Sequence, residues 1–321
     1  MTGLIGHDDA WRQFSSALAG GKLHHGWILS GPRGIGKAGF ASRAASALVD
    51  PDGQNGSMIA RGSHPDILNI KRLPKEPPKE DEEAGPDAEL KRSISIDQIR
   101  RLQASLTTRP GLADKRVVII DAADDLERSG ANALLKSLEE PPVGTYFLLV
   151  SHASDRLLPT IRSRCQMLRF DPLTDDAMGD ALRSAAPEAS AQDVAALIRS
   201  GNGAPGQALD FLGLDMNALE DIMTSIIESG DKSNELRTRL AEQLALKAAQ
   251  SRYEAFLRRA PSLIADNARL LDAASALPAA EAWHKASALA VRAVALSLDK
   301  QSVVFQMGSL LASLQPHKQA R

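Results

Sequence analysis

Gly31-Pro-Arg-Gly-Ile-Gly-Lys37 is the stretch that decides the fold of the first half of this chain. Its spacing, G-x-x-x-x-G-K, is that of a phosphate-binding loop, or P-loop. Such a loop turns successive backbone N–H groups toward phosphate oxygens, and its lysine reaches the outer phosphates. The residues that this chemistry assigns to the loop are Gly31, Gly34, Gly36 and Lys37.

The sequence around the loop has the expected form. An apolar run, Trp27–Ser30, precedes it, and helical periodicity follows from Gly36 to Leu48. Further β-branched runs alternate with amphipathic stretches, which predicts a parallel α/β domain with helices on both faces of the sheet. The other predicted strands are Ile67–Ile70, Arg116–Ile120, Thr145–Val150 and Gln166–Phe170.

Two helices of this domain have clear limits. Ser95 and Gln98 have the spacing of a capping box, which predicts a helix from Ile96 to Leu106. Apolar residues at i, i+3, i+4 and i+7 predict a second helix, which ends before Pro141 and Pro142. The residues of its apolar stripe are Ala131, Leu134, Leu135 and Leu138.

The P-loop lacks parts that ATP hydrolysis requires. Ala38 stands where a Ser or Thr hydroxyl would bind Mg²⁺. The run Val117–Asp121 resembles a Walker B strand, which delivers the Asp121 carboxylate to the metal, but Ala122 follows it and cannot orient a water molecule. Asp124 and Asp125 are expected to be solvated acids at a helix start. The loop is therefore predicted to be degenerate.

The second half of the chain has a different character. After Asp171 and Pro172, Ala and Leu recur at helical spacing and no β-branched strand is predicted, so we expect only helices there. The Gly/Pro-rich stretch 201–206 predicts a joint. Three domains result: an α/β domain over 1–170, a small helical unit over 171–213 and a larger one over 214–321. Trp283–Leu298 and Ser302–Leu314 are predicted to be mostly buried, in a bundle or against other subunits.

Composition excludes several classes of protein. The single cysteine rules out an intramolecular disulfide, and the formal net charge of -2 gives no overall attraction for nucleic acid. Aromatic residues make up 4%, which argues against base-stacking platforms. The start, MTGLIGHDDAW, lacks a basic segment followed by an apolar one, and we expect a cytoplasmic protein with no membrane contact. The acidic, proline-rich stretch 74–89 predicts a mobile surface loop whose role the sequence leaves open.

Several motifs together resemble one family. LHHGWILSGPRGIGKA, HPDI, ISIDQIRRL, KRVVIIDAADDLERSGANALLKSLEEPP and TIRSRC follow one another between Leu23 and Cys165. This order resembles that of the delta-prime subunits of bacterial DNA polymerase III clamp loaders, a branch of the AAA+ proteins. ANALLKSLEEPP with IRSRC is far more specific than the P-loop.

The resemblance implies a fold, a function and partners. The fold is an AAA+ three-layer α/β domain, a small helical lid and a helical collar. The collar joins this chain to tau/gamma and delta subunits in an open five-membered ring, which loads the sliding clamp onto primed DNA. Delta-prime subunits of the family do not hydrolyse ATP, although they belong to a holoenzyme with DNA-directed DNA polymerase activity. The lid stretch Gly203–Leu209 lacks the sensor arginine of hydrolysing relatives.

The resemblance also assigns a role to Arg164. In Ser163-Arg164-Cys165 it matches the arginine finger that the family presents to ATP bound by the neighbouring subunit. A guanidinium suits this role because its charge is fixed and its fork is planar. The alternative is an exposed arginine in a salt bridge. Ser163 is expected to orient the turn, and Cys165 to be a small buried side chain.

Other polar residues are expected to be structural. Many relatives carry a four-cysteine zinc module before HPDI, but residues 50–63 contain no cysteine, so neither zinc nor any other required cofactor is predicted. Residual binding of ATP or phosphate at the P-loop is left open. We interpret His24 and His25 as turn or packing residues. A further set of side chains either contacts DNA phosphates or lies on a solvated helix face, and it comprises Arg100, Arg101 and Arg109.

Two rival functions explain less of the sequence. An ATP-hydrolysing tau/gamma-type subunit would have to tolerate Ala38 and Ala122. A stand-alone P-loop nucleotide kinase leaves the large helical region and the Ser163–Cys165 motif without a purpose.

Overall fold

The computed structural model describes residues 5–76, 89–270 and 273–315. The chain forms two compact units, Met1–Ala177 and Met178–Arg321. The first unit ends seven residues after the predicted boundary at 170, and the division of the helical region at 213 stays a prediction. Most of the predicted surface loop 74–89 lies outside the described residues.

The first unit is built on a five-stranded sheet in which all neighbouring strands are parallel. The strand order is β2-β3-β4-β1-β5, so the first strand in the chain lies between the last two. Every predicted strand is confirmed to within one residue at each end. The strands are β1 Gly26–Ser30, β2 Ile67–Lys71, β3 Arg116–Asp121, β4 Thr145–Ser151 and β5 Gln166–Arg169.

Helices cover both faces of this sheet. Those of the first unit are α1 Asp8–Ala19, α2 Lys37–Val49, α3 Gly56–Ala60, α4 Ile96–Ser105, α5 Arg128–Glu139 and α6 Pro159–Arg162. Side chains alternate between the faces along a strand. Ile28 therefore joins the buried cluster with Leu102 of α4 and Leu134 of α5, while the Trp27 ring lies 5.6 Å from Phe14 of α1. The predicted three-layer α/β domain is confirmed.

The predicted helix limits follow from local chemistry. At the start of α4, Gln98 Oε1 accepts a hydrogen bond from the Ser95 N–H at 3.2 Å, as the capping box requires. Helix α5 ends at Glu139, before the proline pair. Its apolar stripe faces the sheet, and Leu134 and Leu138 are fully buried.

Helices are the only regular secondary structure among the described residues of the second unit. The predicted fold class, α/β followed by all-α, is therefore confirmed. Helix α7, Asp175–Ala185, runs into this unit. The remaining helices are α8 Ala191–Gly201, α9 Pro205–Leu209, α10 Met216–Ser229, α11 Glu235–Ala245, α12 Gln250–Ala268, α13 Ala273–Ala295 and α14 Lys300–Ala312. Three charged residues of this unit are buried, and they are Glu220, Asp231 and Arg259. Arg259 of α12 donates to Glu220 of α10 at 2.6 Å and to Asp266 at 3.0 Å. Both hydrogen bonds are charge-assisted, which makes the burial of this arginine tolerable.

The last two helices differ in burial. Helix α14 is buried along its apolar side, at Val303, Val304, Met307 and Leu311. Helix α13 leaves large apolar side chains exposed within this chain, and they are Leu277, Trp283, Val291 and Val294. The expectation of burial for Trp283–Leu298 inside a bundle is therefore wrong for this stretch, because one face of α13 has no covering element in the described chain. Burial against other subunits stays a prediction. Among the described helices, none is long and apolar enough to span a bilayer.

Candidate functional site

The P-loop lies at the carboxyl end of β1, where the motif predicts it. Gly34 and Gly36 have φ angles of 76° and 106°, a left-handed backbone region that glycine adopts without a steric penalty. Gly31 is required for another reason, because a Cβ there would lie 2.3 Å from the Phe170 carbonyl oxygen. These three glycines let the loop turn tightly from β1 into α2, which begins at Lys37.

Lys37 is bonded to its own loop. Its Nζ donates hydrogen bonds to the carbonyl oxygens of Gly31 at 2.6 Å and Pro32 at 2.5 Å. The residue is 3% exposed, and burial lowers the pKa of its amine to about 8, although Asp121 and Asp124 act in the opposite direction. A phosphate in the loop could bind the backbone N–H groups at the start of α2. It would contact this lysine only after Nζ had left the two carbonyl oxygens.

Two groups that hydrolysis needs are absent from the neighbourhood of Lys37. Ala38 is exposed on the first turn of α2 and offers a methyl group where a hydroxyl would bind Mg²⁺. Asp121 ends β3, as the Walker B resemblance predicts. Ala122 follows it and is 4% exposed, so no side chain at this position can hold a water molecule. The residues present therefore do not fit a hydrolytic Mg²⁺–ATP site.

Asp124 is a correction to the sequence analysis, which expected a solvated acid at a helix start. Its carboxylate accepts hydrogen bonds from Ser151 Oγ at 2.9 Å and from the N–H groups of His152 at 2.7 Å and Ala153 at 3.1 Å. It thus fixes the chain that leaves β4 beside the P-loop. Asp125, in the short 3₁₀ turn with it, pairs instead with Arg72 at 3.1 Å.

Ser151 is a residue of this edge that the sequence analysis missed. It is fully buried, ends β4 next to β1 and contacts Asp124 through its hydroxyl. The available signal was a polar residue immediately after the apolar run Thr145–Val150, at the carboxyl end of a central strand. That edge is where open α/β sheets bind their ligands.

Arg164 lies at the opposite edge of the sheet. It follows the short helix α6 and precedes β5, whose Gln166 is paired with Trp27 near the start of β1. The P-loop begins after Ser30, at the other end of β1. Since β1 has five residues and a strand rises about 3.3 Å per residue, roughly 15 Å or more of sheet separates Arg164 from this chain's own P-loop.

The Arg164 side chain is 33% exposed and makes contacts with its own unit. Its Nη2 lies 2.5 Å from Glu139 Oε1, at the end of α5. Its Nη1 donates to the Thr160 carbonyl oxygen at 2.9 Å and to Ser163 Oγ at 3.4 Å. Ser163 is the C-cap of α6 and donates to the Thr160 carbonyl oxygen, which agrees with a role in orienting this turn.

Cys165 packs under the same turn. A Cβ added to Gly26 would lie 2.9 Å from its Sγ, so the thiol fills the space that the glycine leaves. Burial raises the pKa of the thiol to about 12, and the thiolate that a nucleophile requires is not formed at neutral pH. The sequence analysis expects a small buried side chain here, and Cys165 is partly buried.

The remaining polar candidates have structural contacts or are exposed. His25 Nε2 lies 2.9 Å from the Leu138 carbonyl oxygen, and the His24 ring stacks on the His25 ring at 4.3 Å. His64 Nδ1 accepts from the Asp66 N–H at 3.2 Å. Among residues 5–76, 89–270 and 273–315, no three His, Cys, Asp or Glu side chains form a group able to hold a metal ion. The absence of zinc stays a prediction.

The three arginines considered for DNA contact are all exposed, as a solvated face would have them. Arg100 pairs with Asp97 at 3.4 Å on α4. The stretch Gly203–Leu209, which lacks a sensor arginine, contains the whole of α9, and Gln207 is the middle residue of that helix. None of these observations assigns a ligand to the three arginines or to the stretch Gly203–Leu209.

Comparison with known proteins identifies relatives of the first unit. Residues 6–174, more than half of the chain, match the family described as "DNA polymerase III, delta subunit". A DNA polymerase III subunit delta' of Pseudomonas aeruginosa is 34% identical over 207 residues, which cover 61% of this chain and 58% of that protein. The subunit delta' of Bacillus subtilis is 32% identical over 169 residues, or 50% of this chain and 46% of that protein. The chain thus spans about half the length of the curated relatives it matches.

A solved structure matches over a longer range at lower similarity. It is a DNA polymerase III, gamma subunit-related protein of Thermotoga maritima, 17% identical, with a TM-score of 0.45 over 94% of this chain and 99% of that one.

Proposed function

This chain belongs to the family of DNA polymerase III delta subunits, and on that basis we propose that it is a clamp-loader subunit of the delta-prime type. It joins tau/gamma and delta subunits in a five-membered ring, and the ring loads the sliding clamp onto primed DNA during replication. The chain itself hydrolyses no ATP. Its part in the holoenzyme, which has DNA-directed DNA polymerase activity, is structural and regulatory.

The degenerate P-loop supports the absence of hydrolysis. Ala38 offers no ligand for a metal ion, and Ala122 has no group that could orient a water molecule. Lys37 Nζ is bonded to two carbonyl oxygens of its own loop. Each feature removes a separate contribution to phosphoryl transfer: metal binding, water orientation and charge at the outer phosphates. The loop has no required cofactor, and any binding of ATP or phosphate there is weak.

One observation carries the proposal that Arg164 acts on a neighbour. It lies at the edge of the sheet opposite to this chain's own P-loop, so it cannot reach a nucleotide bound there. The guanidinium at that edge is partly exposed, so a phosphate held by another subunit can compete with its partners in this chain. Its planar fork suits the equatorial oxygens of a transferring phosphoryl group. Ser163 and Cys165 support the finger by fixing the turn before β5.

Two measurements test this function. The isolated chain, mixed with tau/gamma and delta, should co-purify with them as one complex of defined size. Alone, it should hydrolyse ATP no faster than a buffer control, with tau/gamma as the positive control. Turnover of about 1 s⁻¹, a usual enzyme rate, would favour a tau/gamma-type hydrolysing subunit instead. Failure to enter the complex would contradict both assignments.

A further inference from the structure

The Arg164 guanidinium is turned toward its own unit. Nη2 lies 2.5 Å from Glu139 Oε1, and Nη1 donates to the Thr160 carbonyl oxygen and to Ser163 Oγ. Both terminal nitrogens therefore have partners within this chain. An arginine in this arrangement presents neither its full fork nor an uncompensated charge to a second molecule.

The backbones on either side of this ion pair are fixed by the same core. Glu139 follows Leu138, which is buried and whose carbonyl oxygen lies 2.9 Å from His25 Nε2. On the other side, the Arg164 N–H donates to the carbonyl oxygen of Ile161, which belongs to the same buried cluster as Leu138. Since neither backbone can move without disturbing that core, only the two side chains are free to part.

The side chains themselves are partly in water. Arg164 is 33% exposed and Glu139 48% exposed. Solvent weakens an ion pair at such a position, so a better partner for the guanidinium can replace the carboxylate at little cost. A phosphate group is such a partner, because it offers more negative charge and several acceptor oxygens to the same fork.

We propose that Glu139 holds Arg164 in a retracted position, and that assembly of the ring exchanges the Glu139 carboxylate for a phosphate of the nucleotide on the neighbouring subunit. This inference rests on the proposed function of Arg164. Glu139 is then a positioning residue that acts only through the arginine. In the free chain it keeps the Arg164 guanidinium turned toward its own unit. It has no contact with the nucleotide.

The first test uses reconstituted rings, confirmed intact by size, at ATP concentrations below saturation. The quantity compared is the ATP turnover that depends on Arg164, which is the difference between wild-type and Arg164→Ala rings. Glu139→Gln should raise it about two- to fivefold, the factor by which a half-exposed ion pair shifts an equilibrium. The matched control is Glu140→Gln, which removes the same charge one residue later.

The control is informative because Glu140, also exposed, makes no ion pair within the described part of the chain. Glu140→Gln should leave turnover unchanged. In a Glu139→Gln/Arg164→Ala double variant, turnover should equal that of Arg164→Ala alone, since Glu139 has no route to the nucleotide except through the arginine. A change in the double variant would contradict the proposal.

The second test uses the isolated chain and needs no ring. Solvent exchange of the Arg164 Nη–H groups, which contact Glu139, Thr160 and Ser163, is followed by NMR. Their resonances are identified by their loss in Arg164→Lys. Glu139→Gln should speed this exchange and Glu140→Gln should not. Equal exchange in the two variants would show that no retracted state exists, whatever the ring does.

The outcomes separate this inference from the proposed function. If Arg164→Ala rings turn over ATP like wild type, the finger role is wrong and the inference is overturned with it. If Arg164→Ala lowers turnover while Glu139→Gln equals Glu140→Gln, only the retracted position is overturned. If Glu139→Gln lowers turnover, Glu139 holds the arginine in its working position, which also overturns the retracted state.

Discussion

The two ends of the parallel strands hold two cationic side chains in different ways. We call the end where the strands finish the carboxyl edge of the sheet and the end where they begin the amino edge. At the carboxyl edge, Lys37 is 3% exposed and bonded to two carbonyl oxygens of its own loop. At the amino edge, Arg164 is 33% exposed and its main partner is a half-exposed carboxylate. A buried cation bonded to its own loop is held in place there, whereas a cation in an exchangeable pair remains available to another molecule. On our proposal, the first edge has a structural role and the second an intermolecular one.

The largest expected effect comes from removing the arginine at the amino edge. Arg164→Ala in a reconstituted ring should lower ATP hydrolysis at the adjoining tau/gamma site by about 10³- to 10⁵-fold, the usual contribution of an arginine supplied in trans. Total ATPase should fall only in part, because sites served by other subunits keep working. Clamp-stimulated ATPase and loading on primed DNA measure both effects in rings confirmed intact by size.

A lysine in place of the arginine sharpens this prediction. Arg164→Lys keeps the charge but loses the planar fork, so it should restore little of the lost turnover. If the alanine variant matches wild type in ATPase and in loading, Arg164 is a structural arginine, and the proposed difference between the two edges is wrong.

The sequence predicts the fold of the first unit well because its signals are local. Each strand is a β-branched or apolar run bounded by turn residues. A capping box marks the start of one predicted helix, and a proline pair marks the end of another. Gly34 and Gly36 were recognisable for the same reason, since a fixed motif spacing implies a fixed backbone path. The candidate residues at both edges follow from such motifs.

What the sequence could not predict depends on contacts between distant residues. Asp124 reads as an N-terminal acid, yet it bonds the chain after β4, 27 to 29 residues away. The Glu139–Arg164 pair joins two motifs that are adjacent only after β5 has paired with β1. Likewise, α13 and α14 are both rich in apolar residues, but composition does not distinguish a face that packs within the chain from one that is left exposed.

The second prediction concerns the charge at the carboxyl edge. Burial lowers the Lys37 pKa from 10.5 to about 8, so its amine should titrate well before those of exposed lysines. An NMR titration of lysine side chains should show one resonance, absent in Lys37→Met, with a midpoint near pH 8. A midpoint above pH 10 would mean that Lys37 is solvated and that the two edges do not differ in this way.

The same shift gives stability a defined pH dependence. Below pH 8 the folded and unfolded chains both carry the proton, and the cost of burying the charge is constant. Between pH 8 and 10.5 only the unfolded chain keeps it, so stability from this group rises with pH. Relative to Lys37→Met, wild type should gain about 2 to 3 kcal/mol in free energy of unfolding between pH 7 and pH 10, measured by urea denaturation.

The third prediction tests the structural character of the carboxyl edge through Asp124. Asp124→Ala leaves the buried Ser151 hydroxyl and two backbone N–H groups without their acceptor. It should lower the free energy of unfolding by about 1 to 3 kcal/mol. Asp125→Ala removes a half-exposed ion pair with Arg72 and should cost less than about 1 kcal/mol. Equal costs in urea denaturation would mean that the Asp124 contacts contribute no special stability.

The smallest expected effect is that of removing the P-loop lysine on clamp loading. Lys37→Ala should leave clamp loading by a reconstituted ring almost unchanged, because its Nζ is bonded to its own loop and the neighbouring Ala38 and Ala122 leave hydrolysis without its other parts. Lys37→Met, which keeps the length of the side chain, controls for loss of packing, and thermal unfolding of each variant reports folding. If a well-folded Lys37 variant loaded clamps poorly, a nucleotide at this loop would be needed after all, and both edges of the sheet would serve the ring through phosphate.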